Sequence, residues 1–290
     1  MTELIIGVGV PTSAAPGDDP VGMAQQAERL GFDFVSAADH PCGDEPSYET
    51  TVMLTWIAAH TSRIGIASRV LAVPFRRPAM VAKLAASLDL LSGGRLILGL
   101  GAGYSDEEIA AVGAPELSAA GKIDSLAEAI TVIRGAWTRS GYTQDGHHHS
   151  VRNLEMEPKP VHPVPIWLGT FGPRALAVTG RLADGWIPSL GYRPTEEFSA
   201  MRRRIDEAAR AAGRRPEDIR GILNLSIRVD HNAEPRQDMI TGSASQVVGR
   251  LRDLLRYGFT GFNFLVDDPD RPGHMERIAN DVLPALRSSA

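Results

Sequence analysis

Asp39 and His40 stand side by side just past an apolar run, Phe32–Ala37. A histidine gains or loses a proton near neutral pH, and an adjacent carboxylate can hold its tautomer, so the pair suits general acid–base work. The same two residues equally suit a strand-end turn in which Asp39 caps backbone N–H groups. A second cluster, Gly169-Thr170-Phe171-Gly172, precedes Pro173 and Arg174. Proline is favoured at the first helical position, so these small residues open a helix whose free N–H groups can hold an anion such as phosphate, or make a plain strand-to-helix turn. Gly99, Gly101 and Gly103 alternate, as they would to let a flat ring lie against the backbone or to fit a tight barrel interior. The run His147-His148-His149 invites a metal reading. Consecutive histidines on a strand point to opposite sides, and no carboxylate stands at ligand spacing, so no metal site is expected. His60, His162, His231 and His274 are isolated and expected to be solvated or capping. Trp56, Trp137 and Trp167 lie in apolar periodic segments and are expected in the core.

The elements that must position these groups repeat a simple unit: a short apolar run, turn residues, then an amphipathic helix. Leu4–Val10 is the first strand, and Asp19-Pro20 opens a helix that Gly31 stops. Further strands are read at Phe32–Ala37, Ile64–Leu71, Arg95–Gly101, Pro165–Leu168, Asp184–Pro188, Ile222–Val229 and Gly261–Val266. Helices follow each, among them Pro78–Leu91, Ile123–Trp137 and one from Thr195 that Gly213 ends. Ser105 and Glu108 have capping-box spacing. Residues 138–164 break the pattern with Gly, His and Pro and read as an insertion, a small hairpin. Eight strands alternating with eight helices is the count of a (β/α)8 TIM barrel, an α/β fold, with residues 1–290 as one domain. A doubly wound sheet is disfavoured because Pro11–Pro16 after the first strand is no dinucleotide fingerprint. In such a barrel the chemistry lies at the C-terminal ends of the strands, which picks out Asp39-His40, Ser68-Arg69-Val70, Gly101-Ala102-Gly103-Tyr104 and Gly169–Gly172.

Composition sets the outer bounds. Apolar residues make up 43% and charged residues 22%, an ordinary globular balance. The net charge of −5 gives no electrostatic reason for a nucleic-acid or anionic-membrane partner. Cys42 is the lone cysteine, so neither an internal disulfide nor a cysteine zinc site is available. No apolar run reaches the ~18 residues of a membrane span, and the first ten residues carry Glu3 and no basic segment, unlike a signal peptide. A soluble, cytoplasmic protein is expected.

Several stretches together resemble the bacterial luciferase-like oxidoreductases, and within them the branch that uses coenzyme F420. They are Ala37-Ala38-Asp39-His40-Pro41, the run Arg63–Leu71, the run Arg77–Tyr104, Pro158–Pro160 leading to Pro165–Gly169, Leu182–Trp186, Gly258–Val266 and Val282-Leu283-Pro284. The resemblance covers nearly the whole chain and implies a (β/α)8 barrel with an insertion. It implies His40 as the residue nearest the chemistry and Asp39 beside the cofactor ring. It also implies a cis peptide near Arg69-Val70, whose bulge, with Ser68, props the ring. Gly101-Ala102-Gly103 would line the ring, and Gly169, Thr170, Phe171 and Gly172 would take the cofactor phosphate. Asp-His after the second strand points to F420, whereas FMN-using relatives more often carry Glu-His. The arginine-rich, lysine-poor composition, that of a GC-rich bacterial genome, points the same way. The implied activity is hydride transfer between the deazaflavin and a small organic substrate, in a homodimer built on the second and third helices. Alternatives are an FMN-dependent monooxygenase using reduced flavin and oxygen, and a silent flavin-binding barrel. Two residues depart from the pattern. Arg69 stands where a small residue is expected, and Tyr104 stands where the F420-dependent sugar-phosphate dehydrogenases carry a carboxylate acid.

Overall fold

A computed structural model describes residues 3–234 and 236–288. The chain begins β1 (Ile5–Gly9), α1 (Pro20–Arg29), β2 (Phe34–Ala37), α2 (Thr50–His60), β3 (Gly65–Ser68), β4 (Leu71–Ala72), α3 (Pro78–Ser92) and β5 (Leu96–Gly101). It continues with α4 (Asp106–Ala111), α5 (Ala119–Thr138), β6 (Tyr142–Asp145), β7 (Ser150–Leu154), β8 (Ile166–Leu168), α6 (Pro173–Leu182) and β9 (Gly185–Trp186). It ends with α7 (Phe198–Ala211), β10 (Arg220–Arg228), β11 (Met239–Thr241), α8 (Ala244–Leu255), β12 (Gly261–Val266), α9 (Arg271–Asp281) and α10 (Leu283–Arg287). Parallel pairing runs β10-β12-β1-β2-β3-β5-β8-β9 and returns from β9 to β10, which closes an eight-stranded barrel.

Local sequence explains the elements. Asp19 accepts from the Gly22 N–H and Pro20 fills the first turn of α1, a preorganised start. Gly93 ends α3 in the left-handed conformation at φ 70°, where other residues are strained. Ser243 and Gln246 form a complete capping box on α8. The barrel strands are buried on both faces and therefore read as mostly apolar runs. Phe34, Trp167, Ile187 and Ile222 plug the barrel's interior, with the Phe34 and Trp167 rings edge to face at 5.4 Å. Phe34 needs Gly7 on the neighbouring strand, where a Cβ would stand 2.2 Å from its ring.

Four expectations change. The third strand is not continuous: β3 and β4 are separated by Arg69-Val70, whose peptide is cis, and the break is where the strand leaves the ladder. The stretch after β10 adds a strand absent from the eight read above, β11, paired with β10. The long helix starts at Ala119, capped by Ser118, rather than at Ile123. Trp56 is not core but 61% exposed on α2, whereas Trp137 and Trp167 are buried. Within 138–164, β6 and β7 form an antiparallel pair. The backbone N–H groups of His147, His148 and His149 wrap the Glu128 carboxylate. Those hydrogen bonds, opposed by burial, hold Glu128 below the usual carboxylate range, so the triple histidine anchors the hairpin to α5. Among the described residues no group of three or more His, Cys, Asp or Glu is placed to hold a metal ion.

Candidate active site

The C-terminal ends of β2, β3, β5, β8 and β9, with Asn224 from the middle of β10, surround a cavity of about 390 Å³. His40, Asp39, Arg69, Val70, Gly101, Ala102, Gly103, Gly169 and Phe171 all line it, and so do Tyr104, Glu108, Ser189, Tyr192 and Asn224. Strand register accounts for the convergence. Ala37 lies opposite Ser68 and the Arg69 N–H donates to the Ala37 carbonyl at 2.7 Å, so the residues just past β2 and β3 share one level of the barrel mouth.

His40 and Asp39 diverge. The His40 ring meets Glu108, with Nδ1 at 2.9 and 3.2 Å from the two carboxylate oxygens. A carboxylate only accepts, so Nδ1 carries the hydrogen and Nε2 is left as the free proton acceptor. The His40 side chain is 44% exposed and Glu108 19% exposed. Tyr104 stands edge-on to the imidazole at 5.9 Å. Burial, followed by the charges of Glu108 and Tyr192, raises the Tyr104 phenol, so it stays protonated at neutral pH. Ser105 caps α4 through the Glu108 N–H, but the Glu108 side chain does not return to close a capping box. It crosses to His40 instead. Asp39 turns inward: its carboxylate accepts from the Ala72 N–H at 2.9 Å and from both Arg76 nitrogens at 2.7 and 2.8 Å. Arg76 also binds Glu49; burial pulls its guanidinium down, and the two carboxylates outweigh this and raise it. The carboxylate beside His40 in sequence therefore fixes the lip of the cavity, and a residue on α4 orients the imidazole.

The break after β3 gives the glycines of β5 a packing reason. Ser68 exchanges two hydrogen bonds with the Gly99 backbone, each 2.9 Å. A Cβ at Gly99 would stand 1.9 Å from the Ser68 carbonyl, and one at Gly101 would stand 2.7 Å from the Val70 side chain. Ser68 thus lies beneath the cavity, and Val70 packs toward Gly101 and Gly169. The Arg69 side chain is enclosed by protein yet keeps some surface toward the cavity. Burial pulls it down to about 10, with only the Tyr192 charge opposing, so it is a cation at neutral pH.

Gly169 and Phe171 reach the cavity; Thr170 and Gly172 do not line it. Thr170 is buried and pairs with Thr179 at 2.8 Å, and its carbonyl accepts from Trp186 Nε1 at 2.9 Å. Gly172 is the N-cap of α6, lacks a side-chain cap, and a Cβ there would meet nothing within 4 Å. The first N–H groups of α6 are therefore open to an anion. Reasoning from strand ends missed Glu108, Arg76, Tyr192 and Asn224. Tyr192 stacks on Phe171 at 5.4 Å and 12°. Asn224 accepts from Asn263, which in turn accepts from Ser36, in a buried chain across the barrel. The loop after β5 supplies Tyr104, Ser105 and Glu108, and the opposite wall comes from 187–192.

The sequence profile of luciferase-like monooxygenases matches residues 6–282. An F420-dependent glucose-6-phosphate dehydrogenase of Kribbella flavida is 32% identical, over 93% of this chain and 94% of its own. One from Amycolatopsis mediterranei is 31% identical, over 93% and 95%. Among solved structures, an F420-dependent secondary alcohol dehydrogenase in complex with an F420-acetone adduct superposes with a TM-score of 0.88 at 19% identity, over 98% of this chain and 99% of that one.

Proposed function

The chain belongs to the luciferase-like monooxygenase family, and on that premise we propose that it is an oxidoreductase that uses coenzyme F420 to move a hydride to or from a small organic substrate. The names of its relatives support the cofactor. The cavity fits such a group: its 390 Å³ lies in the usual range for cofactor pockets. Val70, Ala102, Phe171 and Ile187 give it apolar walls, and the uncapped N-terminus of α6 offers N–H groups for a phosphate. When bound, the deazaflavin supplies the site that accepts or donates hydride.

The observation that carries the reading is the His40–Glu108 pair at the cavity wall. Glu108 fixes the tautomer and steadies the positive charge that forms when His40 Nε2 takes a proton from a substrate hydroxyl; in the reverse direction the imidazolium returns it. The backbone of the Arg69-Val70 bulge and the Gly101–Gly103 wall would hold a ring in place, and the Phe171–Tyr192 stack would cover it on the β8 side. Asp39 holds the lip through Arg76 rather than touching the reacting atoms. Glucose 6-phosphate does not carry over from the relatives. Tyr104 stands where that group carries a carboxylate acid, and its raised phenol is a weaker acid than a carboxyl group.

Residues 1–290 act as one barrel unit with 138–164 as its insertion. Among the described residues no helix is long and apolar enough to cross a membrane, which suits a cytoplasmic site of action. Val52 and Trp56 on α2 and Met80 and Leu91 on α3 are exposed; such an apolar face calls for a partner, and a homodimer supplies it. Titration of the purified protein with F420 and with FMN tests the cofactor: F420 binding at low micromolar concentration is expected, and FMN binding alone refutes it. In the F420-loaded protein, His40→Ala is expected to lose at least a hundredfold in turnover.

A further inference from the structure

Arg69 lines the same cavity as His40, and the cavity's carboxylate, imidazole and guanidinium side chains are those of Asp39, His40, Arg69 and Glu108. Three of them are committed. Asp39 is held by Arg76, and Glu108 is held by His40. Arg69 is the exception: among the described residues its side chain makes no ion pair or hydrogen bond, and its Nε is buried without a partner. A buried cation normally carries a partner, because burial without one is unfavourable. Nothing in the packing requires this charge, since the bulge is a backbone feature and Val70, not Arg69, fills the space over Gly101. The cavity also offers hydrogen-bonding groups in Ser189, Asn224 and the Tyr192 hydroxyl. A guanidinium presents a planar fork that matches carboxylate and phosphate oxygens.

We propose that Arg69 binds an anionic oxygen group, a carboxylate or phosphate, on the substrate, so that this enzyme acts on anionic small molecules. The proposal rests on the functional reading above for the identity of the reaction. The anionic group is placed on the substrate rather than on the cofactor's own phosphate because Arg69 stands at the level of His40 in the barrel mouth, whereas the open N–H groups for a phosphate lie at α6.

The test separates these sources. Purified protein, free and loaded with F420, is titrated with acetate, inorganic phosphate and uncharged acetamide by calorimetry and by thermal melting, in wild type, Arg69→Met and Arg69→Lys. The loaded wild type is expected to bind acetate or phosphate and to ignore acetamide. Arg69→Met is expected to lose at least tenfold in anion affinity, to keep F420 affinity within threefold, and to melt no lower than wild type. Arg69→Lys is expected to retain part of the anion binding. The proposal is overturned if wild type takes neither anion, or if Arg69→Met binds them as well as wild type. It is also overturned if that variant loses F420 and spares the anion, or if it melts several degrees lower, which would make Arg69 a structural residue. If wild type takes no F420, the functional reading fails, and titration of the cofactor-free protein still decides Arg69 by the same comparison.

Discussion

Replacing Glu108 with alanine removes the hydrogen bond that orients the His40 imidazole while leaving its helix capped. The Nδ1–carboxylate bond is 2.9 Å, and a hydrogen bond to a charged group is worth about 1.5–3 kcal/mol. His40 is 44% exposed, so solvent screens part of this and the lower end of the range applies. About 1.4 kcal/mol is tenfold in rate, and the charge on the carboxylate matters most when the imidazole is protonated in the transition state. The expected loss in turnover is therefore roughly tenfold. Glu108→Gln is expected to fall between, since its amide oxygen still accepts the Nδ1 hydrogen but carries no charge. The assay is single-turnover oxidation of reduced F420 in the loaded protein, followed by its absorbance, with whichever carbonyl acceptor supports wild-type turnover. F420 affinity is expected to hold within a few-fold. The melting temperature is expected to be nearly unchanged, because Ser105 still caps α4. Turnover within twofold of wild type in Glu108→Ala, under conditions where His40→Ala is inactive, would refute the pairing as a working unit.

Gly172→Val places a side chain where the backbone now has open space at φ −69°, so the fold is expected to persist while F420 affinity falls tenfold or more, about 1.4 kcal/mol; fluorescence titration reads this. Trp56→Glu puts a charge on the exposed apolar face of α2 and is expected to convert a dimer to monomer in light scattering. A monomeric wild type at micromolar concentration would contradict the homodimer. Glu28 predicts an acid-sensitive joint: burial raises its carboxyl, but N–H groups of Arg63, Ser62 and Ile64 and the Ser62 hydroxyl outweigh this and bring it from 4.5 down to about 2. A depressed carboxyl gives stability that is full above the unfolded value and lost as pH falls from about 4.5 toward 2. With solvent screening, about 1–2 kcal/mol is at stake. Glu28→Gln is expected to lose that stability at pH 7 and to converge with wild type near pH 2 in denaturant melts.

The barrel was legible because its physics is local. Parallel strands buried on both faces read as near-continuous apolar runs, and each helix start carries its own chemistry, as Asp19-Pro20 does. The departures arise where a tertiary contact overrides the local rule. Ser105 and Glu108 have capping-box spacing, and the serine half forms, yet the glutamate answers His40 across 68 positions of sequence. Trp56 has core-like periodicity, but periodicity shows only that a face is apolar, not whether the barrel or another molecule covers it.

The same limit governs the site itself. A strand-end rule places Asp39-His40 at the mouth of the barrel, and adjacency in sequence invites the carboxylate to serve the imidazole. The hydrogen bonds show otherwise: Asp39 binds Arg76 and the Ala72 N–H, while His40 meets Glu108. The partner for His40 comes from a different element, α4. The glycines of β5 follow the same logic. Their spacing reads equally as a bed for a ring or as room for a neighbour, and the Ser68 carbonyl, which would stand 1.9 Å from a Cβ at Gly99, separates the two. Gly99 is held by packing alone, whereas the wall from Gly101 to Gly103 both accommodates Val70 and faces the cavity. Substituting Gly99 would therefore remove the fold before it removed the chemistry.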